Sequence, residues 1–93
     1  MAAANDEGKE FDLRWELNFA SDLLYELNSL KNKLRRPSHI SKINGLKSGI
    51  GAELTKIEYV SDESIETKIA SVKSLICQIY KVKQVAINCL DEP

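Results

Sequence analysis

Apolar residues along this chain return at alternating steps of three and four, and the returns fall into three blocks separated by two turns. In the first block Ala20, Leu23, Leu27, Leu30 and Leu34 form one heptad seam, and Leu13, Leu17, Ala20, Leu24 and Leu27 form a second beside it. Two adjacent seams make a wide apolar face, which predicts a helix over about 11–36 that touches two neighbours. A competing signal lies at its start. Phe11, Leu13, Trp15, Leu17 and Phe19 alternate with polar residues, the period of a strand. Helix is the better reading, because the Leu13–Leu17–Ala20 step runs into the seam without a turn residue, and a lone strand has nothing to pair with.

Arg35-Arg36-Pro37-Ser38 interrupts the pattern, since proline disfavours helical geometry in the residue before it. A second helix is expected over about 40–58, with Ser38 or Ser41 as cap and Ile43, Leu46, Ile50, Leu54 and Ile57 as its seam. Gly45, Gly49 and Gly51 weaken it by about 1 kcal/mol each relative to alanine. Their presence predicts either a break near Gly49 or a tight crossing against a neighbouring helix. A third helix is expected over about 62–90, with Ser61 as cap and Val60 with Ile65 as a hydrophobic staple. Its seams are Ile65, Ile69, Val72, Ile76, Ile79, Ala86 and Leu90, broken only by Lys83, and Val72, Leu75, Ile79, Val82, Ala86 and Cys89. Short connections make successive helices antiparallel neighbours. The fold expected is therefore all-α: an antiparallel up-down-up three-helix bundle with coiled-coil-like packing over residues 9–93, preceded by a disordered tail over 1–8.

Composition agrees with a single folded domain, with 43% hydrophobic and 29% charged residues in 93. Cys77 and Cys89 are separated by about 18 Å of helix, too far for a disulfide, and are expected as small apolar packers near the core. The N-terminal MAAANDEG carries neither the basic nor the apolar part of a secretory signal. An intracellular setting, cytoplasmic or nuclear, is expected.

Charge changes the picture more. Residues 27–52 contain six bases and no acid, whereas residues 1–26 hold seven acids against two bases and residues 53–93 hold seven against five. Folding the bundle gathers Lys31, Lys33, Arg35, Arg36 and Lys42, with His39, at the pole that holds the first turn, making them candidate anion-binding residues. Part of this segregation matches helix dipoles, but Lys42 near the start of the second helix and Glu53 and Glu58 near its end oppose its dipole.

Catalytic chemistry finds little support. There is one histidine, neither cysteine is near it in sequence, and no metal-ligand spacing or phosphate loop is present. No cofactor, metal, catalytic residue or small-molecule substrate is expected. The candidate partner-binding residues are Phe11, Trp15 and Phe19, an i, i+4, i+8 aromatic stripe facing away from Leu13 and Leu17, and Lys83, a polar residue in an apolar seam. The expected role is a non-catalytic adaptor or complex subunit that binds another helix or a second copy through helices 1 and 3. The alternative is an anion-binding domain that uses the basic turn on nucleic acid or a phosphoinositide membrane. A pI near 5.8 weighs against it.

Overall fold

The computed structural model of the chain describes residues 2–91, with side chains from 8 to 91. Three helices pack together: α1 (Ala2–Lys31), α2 (Pro37–Tyr59) and α3 (Ile65–Asp91), with no strand among the described residues. They form a rod of 58 × 19 × 15 Å. None of the helices is long and apolar enough to cross a membrane.

Each boundary has a local cause. Helix α1 starts at Ala2, so residues 2–8 are helical where a disordered tail is expected, and Met1 lies outside the described residues. Ala2, Ala3 and Ala4 have the highest helix propensity, and Gly8 weakens the segment without ending it. At the other end α1 stops at Lys31 rather than 36. There Lys33 N–H donates to Leu30 O and Leu34 N–H to Lys31 O, both at 3.0 Å, so the last turn tightens to three-residue bonds. Leu34, now outside the helix, is still buried in the core. Proline then does two jobs. It holds Arg36 in extended geometry (φ −83°, ψ 128°) and opens α2 at its first position, so neither Ser38 nor Ser41 caps the helix.

Helix α2 runs unbroken through its glycines. A Cβ placed on Gly45, Gly49 or Gly51 meets nothing within 4 Å, so no tight crossing within the chain requires them. Both expectations for these residues fail, because the bonds on either side of Gly49 carry the helix through while α2 leans its seam residues Ile43, Ile50 and Leu54 on the core. At the second turn the Ser61 hydroxyl accepts from Glu63 N–H at 3.1 Å, a local turn only. The cap of α3 is instead Ser64, whose hydroxyl accepts from Thr67 N–H at 3.2 Å. The Val60–Ile65 staple does not form part of this start, and Val60 is 70% exposed.

The core is a single apolar cluster in which Leu27, Ile43, Val72 and Ile79 are fully buried, and no polar side chain among the described residues is buried with them. Helix α3 is its hub, packing most extensively on α1 and next on α2. Along the α1–α3 flank three ion pairs share one separation of 57 residues: Lys9 with Glu66, Glu16 with Lys73 at 4.0 Å and Glu26 with Lys83 at 3.1 Å. On the other flank Lys47 Nζ donates to Asn28 Oδ1 at 3.2 Å, tying α2 to α1.

Two outcomes follow from this geometry. Gly51→Ala should stabilise the protein by about 0.5–1 kcal/mol in urea unfolding, because the new methyl enters open space in a helix without positive φ. The hydrogen bond and charge of Lys9 hold the Glu66 carboxyl below its ordinary 4.5. The unfolded chain therefore binds this proton at higher pH, so the pair's contribution is present above the ordinary value and fades as pH falls through the lowered one. NMR titration should find Glu66 below its ordinary value in the wild type and moved up toward it in Lys9→Met, where the backbone hydrogen bond at Glu66 still lowers it.

Candidate partner-binding surfaces

Helical spacing places Phe11, Trp15 and Phe19 one turn apart, and the structure divides them by role. Phe19 is half-buried against the core. Trp15 lies on it with ring centroids 5.4 Å apart and planes 9° from parallel, within the range of stacked aromatic pairs. Trp15 nonetheless remains 55% exposed and Phe11 70%. Both line an open recess of about 530 Å³ with Glu10, Arg14 and Asn18. The result is an aromatic ladder fixed at its inner end and open at its outer end. A stacked indole has already lost much of its rotamer freedom, which lowers the entropy cost of docking.

Lys83 belongs elsewhere. It is half-buried, pairs with Glu26, and lines a separate recess with Tyr25, Ser29, Leu30 and Lys33. The structure does not bring it to the aromatic ladder. Tyr25 beside it is 77% exposed, Tyr59 is 77% and Tyr80 is 47%. Sequence reasoning passes over these tyrosines, although their positions off every seam are the signal that they face outward.

The basic residues gather only in part. Lys33, Arg35, Arg36 and His39 line a recess of about 520 Å³ at the α1–α2 turn, closed on one side by Cys89, Leu90 and Asp91 of α3. Lys31 and Lys42 are not among its lining residues. The end of α3 directs its negative dipole at this turn, which offsets repulsion among the bases. Among the described residues no group of three His, Cys, Asp or Glu side chains is placed to hold a metal ion. Both thiols are free. Cys89 packs against the core as expected, whereas Cys77 is exposed because it lies off both seams of α3.

Comparison with protein-family models, with curated proteins and with solved structures finds no match, so these surfaces are read from their own geometry. That geometry separates anchor from contact. Phe19→Ala should cost about 1–3 kcal/mol in urea unfolding, because it removes the half-buried ring under Trp15. Phe11→Ala should change stability by no more than about 0.5 kcal/mol, as for an exposed position.

Proposed function

We propose that this chain is a non-catalytic protein–protein interaction module, an up-down-up antiparallel bundle with coiled-coil-like packing that serves as an adaptor or complex subunit. The ion pairs of constant separation between α1 and α3 support that topology, and the free thiols support a cytoplasmic or nuclear setting. One observation carries the functional reading: Trp15 is ordered by its stack on Phe19 yet leaves more than half of its surface exposed, next to a still more exposed Phe11. An ordered, exposed tryptophan with an aromatic neighbour has the character of an interface anchor rather than a core residue. The partner is an apolar helix face, on another protein or on a second copy.

A second reading rests on the recess that collects Lys33, Arg35, Arg36 and His39 at one turn. It makes the turn a binding site for phosphate groups of nucleic acid or a phosphoinositide membrane. Salt separates the two readings, because phosphate contacts release counterions and weaken steeply with ionic strength whereas apolar contacts do not.

Light scattering over a dilution series, and affinity capture of partners, test the first reading. Trp15→Ala should weaken assembly by about 2 kcal/mol or more, with little dependence on salt between low and moderate concentration. Binding to nucleic acid or to phosphoinositide vesicles that is unaffected by Trp15→Ala but abolished by moderate salt would favour the basic turn instead.

A further inference from the structure

We infer that the outer face of α2 is a self-docking surface, on which a second copy of this chain packs its own α2 antiparallel about a twofold axis between Lys47 and Ser48. This surface is separate from the aromatic ladder and does not depend on it.

The groove between α2 and α3 provides the footing. Its α2 wall carries Gly45, Leu46, Gly49 and Glu53, and Leu75 and Val82 line it from α3, around a space of about 300 Å³. At Glu53 and Leu75 it continues into a recess of about 730 Å³ that reaches Val60. Leu46 is 41% exposed and Val60 70%, so an open apolar side chain stands at each end of this length. From Leu46 to Val60 this is about four turns of helix, roughly 21 Å, long enough to seat a helix rather than a loop.

The occupant is indicated by the face itself. Lys42, Leu46, Gly49 and Glu53 recur at steps of four, three and four, a heptad seam on the exposed side of α2. Leu46 and Gly49 share a midpoint with Lys42 and Glu53, between Lys47 and Ser48. In an antiparallel pair with its twofold axis there, Leu46 of each copy faces Gly49 of the other, and Lys42 of each faces Glu53 of the other. A projecting side chain thus meets an empty position, and a base meets an acid, twice over. A parallel pair would set Lys42 against Lys42 and Leu46 against Leu46. Such self-complementarity about one point is what an isologous interface requires.

Two further facts fit. The chain's own packing has no use for Gly49, since a Cβ there meets nothing within 4 Å, although glycine weakens the helix. Glu53 has an exposed partner on its own helix, Lys56 at 3.6 Å, a pair too weak and too solvated to hold it from Lys42 of a second copy.

Sedimentation equilibrium of the full chain from about 1 μM to 1 mM tests this. The wild type should form a dimer, and Trp15→Ala should retain it. Gly49→Leu should weaken the dimer about tenfold or more while raising the melting temperature of the dilute monomer, a split that a merely misfolded variant would not give. Lys42→Glu should dissociate the dimer, and Lys42→Glu/Glu53→Lys should restore it. A wild type that stays monomeric to 1 mM would overturn the proposal. So would a dimer that ignores Gly49→Leu, or a double charge swap no better than Lys42→Glu alone. A dimer lost in Trp15→Ala but kept in Gly49→Leu would place self-association on the aromatic ladder and overturn this proposal while supporting that one.

Discussion

The packing of α3 against α1 governs the rest of this molecule. Val72 and Ile79 of α3 and Leu27 of α1 are wholly removed from water, each contributing about 1.5–3 kcal/mol of transfer free energy. No charge or hydrogen bond in the bundle rivals that. The ion pairs of the α1–α3 flank each keep at least one side chain in water, where screening leaves such pairs little net stabilisation. Their role is different. Three pairs with one separation reward a single register along the two helices, and a slip by one turn would break all of them together.

Once α1 and α3 are fixed, α2 has less to do. It closes the core with Ile43, Ile50 and Leu54, and its remaining surface faces outward. This accounts for three glycines in a helix that stays intact, because burial of one stripe outweighs the propensity lost elsewhere. It also accounts for the apolar surplus. Three helices bury one broad face of each, so a helix with apolar residues on two sides leaves one side open. On α1 the open side is the aromatic ladder, and on α2 it is the seam through Leu46.

The parts legible in the sequence are those decided by periodicity. Leu17, Ala20, Leu23 and Leu27 on α1, and Val72, Ile79, Val82 and Ala86 on α3, are seam residues and lie in the core. The strand-like alternation from Phe11 to Phe19 loses because the seam continues through it. Boundaries were harder, since they turn on single hydrogen bonds. Ser64 rather than Ser61 caps α3, and Pro37 opens α2 without help from a serine, differences that spacing alone does not rank. The aromatic stripe was visible as a spacing, but its division into a Phe19 packed on the core and an exposed Trp15 is a matter of tertiary packing that spacing does not rank. Lys83 was conspicuous as a polar residue in a seam, yet its contact with Glu26 is a matter of register between distant segments. The basic turn was legible as a run of charge, while the inclusion of Asp91 and the exclusion of Lys42 were not.

The chain has a single tryptophan, which makes the central claim directly observable. At concentrations where the protein is monomeric, Trp15 fluorescence reports whether the folded chain leaves its aromatic face for a partner. An exposed, stacked indole should emit at long wavelength and be readily quenched by acrylamide, and both properties should reverse when a binding partner or a second copy covers it. A short-wavelength, poorly quenched emission from the dilute folded monomer would show that the chain already buries this ring, and would contradict an account in which it waits for another helix.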